Sequence, residues 1–263
     1  MRNLTLSIIT INYNNLQGLK KTIASVVNQT WRDFEFIIID GGSTDGSAPY
    51  IKSQTETIDY WVSEPDKGIY NAMNKGVKIA KGEYLLFLNS GDFLNSLTSL
   101  EDFINHVDFK GDIIYGDYQF EDRRKNYPDY LTPLYFLQGT LPHQSTFFRK
   151  KVFNEIGLFS EQYKIVSDRD FYIRCFLSNN FVFNHVSYPL TFFDLSGISN
   201  NISYEKKQME ENEMIFKNNY GIYYEDYKNM ILLKKDIDKL KERKFSLIMY
   251  KVLKKIKNAC KSH

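Results

Sequence analysis

Four short β-rich runs in the first hundred residues, "LTLSIITIN", "FEFIIID", "IDYWVSE" and "EYLLFLN", alternate with segments whose apolar residues recur at helical spacing. Leu16, Leu19, Ile23, Val26 and Val27 form one helical stripe; Ile69, Ala72, Met73, Val77 and Ala80 form another. Strand and helix in turn, joined by short connections, predict an α/β fold with a mostly parallel sheet covered on both faces. Such sheets bind ligands beyond the carboxyl ends of their strands. The four runs end there in "TINYNN", "DGGSTDGS", "SEPDKG" and "NSGD", so function is sought first in those residues.

Beyond residue 110 the pattern changes to strand-like pieces, "DIIYGDYQF", "QSTFFR" and "FVFNHVSYPLTFFD", with a helix from about Asp168 to Ser178 among them. No Pro/Gly/Ser-rich linker separates this half from the first, and it reads as an antiparallel addition to the same sheet. From about Ser203 the chain is helical and increasingly basic, which predicts two units, 1–202 and a helical extension 203–263.

The formal charge of +2 conceals an asymmetry: Lys228 to His263 carries 12 Lys and Arg against 3 Asp and Glu, a net +9 that leaves −7 on the rest. In the tail, Phe245, Ile248, Val252, Ile256 and Ala259 follow helical spacing while Lys251, Lys254, Lys255, Lys257 and Lys261 crowd the other arc. That pattern suits either a helix lying on an anionic membrane surface through 245–261 or one packed on protein. A nucleic-acid partner fits less well, because the basic residues are confined to one terminal helix without a recognised module.

No run reaches the roughly eighteen consecutive apolar residues of a membrane span. The opening "MRNLTLSIITINYNN" lacks a secretory cleavage pattern, which predicts a cytoplasmic protein, peripheral on the inner face of the cell membrane under the first of the two readings of the tail. Cys175 and Cys260 fit a reducing compartment and are too few and too separated for a disulfide framework or a metal site.

In "IIIDGGSTDGS", Asp40 closes an apolar strand and Asp45 follows five residues on, among glycines that allow a tight turn and close approach of a ligand. Carboxylates there can accept from a nucleobase N–H or from ribose hydroxyls; a capped turn feeding a helix explains them equally well. The stretch has neither the Gly-Lys-Ser/Thr ending of a phosphate-cradling loop nor the glycine spacing of a dinucleotide fingerprint.

"SIITINYNN", "DGGSTDGS" and "SEPDKGIYNAMNKGVKIAKGEYLLFLNSGD", in that order, resemble family 2 of the glycosyltransferases, and the resemblance runs from about residue 5 to 200. It is greatest to the bacterial branch that builds O-antigen, capsule and other surface polysaccharides. The resemblance implies a GT-A fold, Rossmann-like in its parallel part, and an inverting transferase using a nucleotide-diphosphate sugar. It also implies that Thr10, Asn12, Asp40, Asp45, Asp66, Asn74 and Ser90 lie about the nucleotide sugar, and that "NSGD" faces the diphosphate and a divalent cation, Mn²⁺ or Mg²⁺. The family has acidic residues where this chain has Asn89 and Gly91, which leaves Asp92 as the implied metal ligand and puts the strength of metal dependence in question. A helix N-cap at Asp92, ahead of "FLNSLTSLEDFI", is the alternative and could coexist with ligation.

Asp66, Lys67 and Gly68 open the helix from Ile69 to Ala80, whose first N–H groups can face an anion; Asn71, Asn74 and Lys75 are placed on its polar side. In "IVSDRDFYIRCFL" the pair Ser167 and Asp168 occupies the family's acidic pair, which maps the general base onto Asp168; Asp170 either supports the site or stabilises the helix start. "PHQ" makes His143 and Gln144, with Asp170, candidates for contact with acceptor or phosphate. The implied acceptor is a hydroxyl of a growing, lipid-linked glycan. The rival reading is a GT-A homologue that binds nucleotide or glycan without turnover, suggested by the altered "NSGD".

Overall fold

The computed structural model describes residues 6–193 and 202–259, and beyond Glu242 no side chain except that of Phe245. The chain divides into two compact units, Met1–Ile215 and Phe216–His263.

Strands β1 (Leu6–Asn12), β2 (Phe34–Asp40), β3 (Tyr60–Ser63) and β4 (Tyr84–Phe87) pair in parallel in the order β3-β2-β1-β4. The helices between them are α1 (Leu16–Val27), α2 (Ser47–Ser53) and α3 (Ile69–Ile79). β1 is buried along its whole length, which explains its near-continuous apolar sequence. On one face Leu6, Ile8, Phe36, Ile38 and Leu86 pack with Leu19, Ile23 and Val26 of α1. On the other, α3 lies so close to β1 that a Cβ on Gly76 would stand 2.4 Å from Ile9 Cγ2. Full burial of each such Leu, Ile or Phe contributes roughly 1.5–3 kcal/mol.

The second half continues the same sheet. β5 (Phe93–Leu94) is followed by α4 (Ser99–Ile104), β6 (Ile113–Phe120), β7 (Arg123–Lys125), α5 (Pro133–Gln138), β8 (Thr146–Arg149), α6 (Lys150–Ile156), α7 (Ser167–Leu177) and β9 (Phe183–Phe192). β8 pairs antiparallel with both β4 and β6, as expected of an antiparallel addition, while β9 runs parallel to β6. Two helices intervene between β8 and β9, and that crossover returns the chain in the direction of β6. Phe148, Phe153, Phe159 and Phe171 cluster beneath α6 and α7 with ring centroids 4.7–5.8 Å apart.

One local expectation is corrected. Asp92 is not a helix N-cap: β5 follows it directly, pairing with β9, and α4 begins only at Ser99 after Thr98. The pairing of Phe93 with Phe192, whose rings stack at 4.8 Å, takes residues that a helix pattern would otherwise claim.

Most of α8 (Glu205–Tyr220) lies in the first unit; its end and α9 (Tyr224–Ala259) lie in the second. Phe245 of the expected amphipathic tail is exposed; the tail's remaining apolar and basic side chains, Ile248 to Lys261, lie outside the described residues, as does Cys260. Among the described residues no helix is long and apolar enough to cross a membrane.

Candidate active site

Register places Asn12, Asp40 and Ser63, the last residues of β1, β2 and β3, side by side. The chain leaving β4 stays on β1 for three more residues, through Leu88 N to Ile9 O at 2.9 Å and Ser90 N to Ile11 O at 3.0 Å. It then turns sharply at Gly91 (φ 113°), where Asp92 N donates to Asn89 O at 2.9 Å. A positive φ favours glycine there, which explains Gly91 at a position that an acid occupies in the resemblance of the sequence.

Over this rim lies a cavity of about 740 Å³, walled by Asn12, Tyr13, Asn15, Gly41, Asp66, Gly68, Tyr70, Asn89, Ser90, Asp92, His143, Ile165, Asp168 and Phe193, among others. Six of the twelve site residues expected from the sequence, Asn12, Asp66, Ser90, Asp92, His143 and Asp168, are brought together in its wall. Asn12 ties β1 to β2 and to the turn after β4: its Nδ2 donates to Asp40 Oδ1 at 2.7 Å, and its Oδ1 accepts from Ser90 Oγ at 2.7 Å. Asp66 Oδ1 accepts Gly68 N at 2.7 Å and shapes the entry to α3, which has no side-chain cap of its own.

The other six are not part of the wall, and of them Asp45 is exposed. Thr10 is buried and donates to Leu88 O at 2.8 Å. Asp40 is fully buried and accepts from Asn12, Ser43 and Ser63. Asp45 accepts Leu16 N at 2.7 Å and Ser47 Oγ at 2.6 Å, tying the starts of α1 and α2 together. Asn74, buried on α3, donates to Phe159 O and accepts Phe159 N. Gln144 is buried in the 3-10 turn His143–Ser145. Asp170 pairs with Arg174 at 2.8 Å, one helical turn on.

Asp168, in the first turn of α7, faces the cavity with its side chain 15% exposed. Its Oδ1 accepts the Tyr70 hydroxyl at 3.1 Å, and that hydroxyl also reaches Ile165 O at 2.9 Å. Its Oδ2 lies 3.7 Å from His143 Nδ1, a distance for charge attraction rather than a hydrogen bond. Burial would push the Asp168 carboxyl up, but His143 and the neighbouring Arg169 outweigh it and hold it below the usual range. Burial likewise opposes charge on His143, and the carboxylates of Asp168 and Asp92 override it, raising the ring above its ordinary value.

His143 Nε2 lies 3.0 Å from Asn89 Nδ2, and this leaves Asn89 Oδ1 buried with no hydrogen-bond partner. No group of three or more His, Cys, Asp or Glu that could hold a metal occurs among the described residues. A cation whose remaining ligands come from substrate phosphates does not need one, and the buried Asp92 carboxylate with an orphaned amide oxygen nearby fits such an ion. Tyr13, Asn15 and Gly41 lie in the strand-end stretches singled out in the sequence without being named as site residues, and Tyr70, Ile165 and Phe193 were not anticipated. Tyr70 sits within an apolar helical stripe whose spacing explains it as core, so its hydroxyl gave no separate signal.

A parallel half-sheet with a cleft at its carboxyl rim, faced by an acid on a helix of the second half, is the plan of the GT-A glycosyltransferases. S. aureus TarS 1-349 in complex with UDP-GlcNAc matches with a TM-score of 0.63 and 20% identity, covering 82% of this chain and 67% of that one. The mannosyltransferase PcManGT from Pyrobaculum calidifontis, in complex with GDP-Man and Mn²⁺, matches with a TM-score of 0.60 and 12% identity over 81% of this chain and 63% of the other. At such identities the likeness is one of fold, and this chain spans 40% of the longer TarS crystal structure. Residues 7–172 match the sequence model of Glycosyl transferase family 2, and the chain belongs to that family. Its relatives include the "Uncharacterized glycosyltransferase Rv1514c" of Mycobacterium tuberculosis, 35% identical over 181 residues (66% of this chain, 69% of the relative). A "PGL/p-HBAD biosynthesis glycosyltransferase" of Mycobacterium bovis is 31% identical over 205 residues (74% and 79%).

Proposed function

We propose that the protein is an inverting glycosyltransferase that moves a sugar from a nucleotide-diphosphate sugar to a hydroxyl of a glycan acceptor. The observation that carries this reading is Asp168, a carboxylate held ionised in the wall of the same cavity as Asn12, Asp66, Ser90 and Asp92. The nucleoside diphosphate is assigned to the rim of β1 to β4, with Asn12 and Asp66 at the nucleoside and Ser90 toward the diphosphate. Thr10, Asp40 and Asn74 shape that rim from behind, and Asp45 does so by holding the starts of α1 and α2. The solved relatives in fold support the donor class, since their complexes contain UDP-GlcNAc and GDP-Man.

In the step assigned to Asp168, the acceptor hydroxyl attacks the anomeric carbon from the side opposite the diphosphate. Its proton passes to Asp168 Oδ, the bond from the anomeric carbon to the diphosphate oxygen breaks, and nucleoside diphosphate leaves. One displacement inverts the anomeric configuration. Tyr70 and His143 fix and stabilise the carboxylate before the proton arrives, and His143 is also placed to meet the acceptor. A divalent cation, held by Asp92 and Asn89 Oδ1, would neutralise charge on the departing diphosphate.

The acceptor is assigned to a lipid-linked glycan of surface polysaccharide synthesis at the inner face of the cell membrane. The basic tail and the biosynthetic name of the M. bovis relative support it. Thermal-shift screening against nucleoside diphosphates with Mn²⁺ or Mg²⁺ identifies the donor base. Transfer or slow donor hydrolysis is then measured for the parent and Asp168→Asn. Donor binding without turnover in the parent would favour a binding protein, and equal rates would remove Asp168 as the base. Flotation with anionic liposomes, unchanged on deleting 245–263, would remove the membrane assignment.

A further inference from the structure

Glu211 lies on α8, well past the family-matched segment 7–172. It is 3% exposed, and its carboxylate is directed at a single loop. Oε1 accepts Lys164 N at 2.8 Å, while Oε2 accepts Ile165 N at 2.9 Å and Val166 N at 3.3 Å. These three consecutive N–H groups lead directly into α7, which has no side-chain cap at Val166. A carboxylate taking all three fixes consecutive peptide planes and supplies negative charge at the positive end of the helix.

The same loop carries two parts of the site. Ile165 lines the cavity, and its carbonyl accepts the Tyr70 hydroxyl that also reaches Asp168. Next to Glu211, Asn212 Oδ1 accepts Arg169 Nη1 at 2.8 Å. Residues 211 and 212 therefore grip the chain on both sides of Asp168, at 164–166 and at 169. The three hydrogen bonds of this carboxylate all fall on the residues that deliver one cavity acid, which general stability alone does not require.

We propose that Glu211 is a positioning residue for sugar transfer: by holding the N–H groups of Lys164, Ile165 and Val166 it sets Asp168 against the cavity, and the part of α8 up to Ile215 belongs to the catalytic unit. The proposal rests on the reading of Asp168 as base. Asp168 depends on Glu211 for its place and not for its charge. Loss of Glu211 therefore slows the chemical step while leaving the β1 to β4 rim, where the donor is assigned, intact.

The test uses the full chain with Glu211→Ala, Glu211→Gln and Asp168→Asn, measuring kcat, donor KM, calorimetric affinity for the nucleoside diphosphate found in the thermal-shift screen, and melting temperature. Glu211→Ala is expected to lower kcat by about tenfold to a hundredfold, the scale of a small misplacement of a reacting group, with donor affinity changed less than about twofold. Glu211→Gln, whose amide oxygen still accepts from Ile165 N, should recover part of that rate. If Glu211→Ala does not fold, Glu211→Gln carries the test. An unslowed kcat overturns the proposal, and so does a joint fall of kcat, donor affinity and melting temperature, which would mark a purely structural role. An Asp168→Asn variant at parental rate would sink the base assignment first; an inactive one beside unslowed Glu211 variants sinks only the role of Glu211.

Discussion

The side-chain amide of Asn12 donates to Asp40 Oδ1 at 2.7 Å, so the last residues of two neighbouring strands are joined by their side chains as well as by the sheet. Asp40 also accepts Ser43 N at 2.9 Å and the hydroxyls of Ser43 and Ser63, each at 2.6 Å. Burial works against its charge, and the bonds from Ser43, Ser63 and Asn12 outweigh it, lowering the carboxyl from its ordinary 3.8. Asp40→Asn should cost about 2–3 kcal/mol in urea unfolding at neutral pH, because an amide nitrogen replaces one acceptor among donors. A lowered folded-state pKa gives stability that is present above the unfolded value and lost as pH falls through the folded one. The difference between parent and variant should therefore narrow below pH 3.8, and a constant difference would show the carboxylate's charge to be immaterial.

Gly41 forms the cavity wall where a Cβ would stand 2.5 Å from Asp66 Oδ2 and 3.2 Å from Tyr13 Cδ2. Gly41→Ala should displace those side chains and raise the dissociation constant of the nucleoside diphosphate about tenfold, or about 1.4 kcal/mol. Its melting temperature should stay near the parent's. Unaltered affinity in calorimetry would place the nucleoside elsewhere.

His143 should govern the pH dependence of turnover. Its pKa is raised above 6.5, whereas that of Asp168 is lowered, so on acidification the ring gains its proton first and makes the carboxylate a weaker base. The acid limb of kcat should lie above pH 6.5 in the parent and move below it in His143→Asn. An identical limb in both proteins would exclude His143 from the titration that controls rate.

A second charged cluster ties the segment after β7 to the sheet. His185 bridges the fully buried Asp117 at 2.9 Å and the exposed Asp129 at 2.5 Å, Arg124 meets Asp117 at 2.6 Å, and the Tyr115 ring stacks on the imidazole at 5.3 Å. Burial opposes both charges, but the pairing raises His185 from 6.5 and, with Arg124 and Tyr127 N, lowers Asp117 from 3.8. The Asp117 contribution is present above 3.8, and that of His185 is complete below 6.5 and fades as pH rises through its raised value. Asp117→Asn should cost about 3 kcal/mol, most between those limits, and Asp129→Asn less than about 1 kcal/mol. Unfolding of both variants across pH tests the order, and equal losses would contradict it.

Of the parallel strands, β1, β2 and β4 were legible because each is buried on both faces and so reads as an apolar run ending in polar residues, while the half-exposed edge strand β3 showed through its aromatic and β-branched residues. β5 was not, since Phe93 and Leu94 become strand only through pairing with β9, about a hundred residues away. The site shows the same limit. Asn12, Asp66, Ser90, Asp92, His143 and Asp168 reach one cavity from motifs visible in sequence, and Asp45 takes the capped-turn role its local pattern also offered, through Ser47 N and Oγ, whereas the task of Asn74 is set by Phe159, a partner no local pattern reveals. Glu211 was hidden for that reason too: within a largely exposed acidic and basic helix, nothing marks one glutamate as buried.

Gly76 makes a methyl-sized absence consequential at a distance. At Gly76, α3 rests directly on Ile9, so the helix bearing Tyr70 and the strand ending at Asn12 have no room between them. An alanine at that position would touch no atom of the cavity, yet by prying the helix outward it would carry the Tyr70 hydroxyl away from Asp168. Tolerance to change in this enzyme family member should accordingly follow closeness of packing rather than proximity to the chemistry.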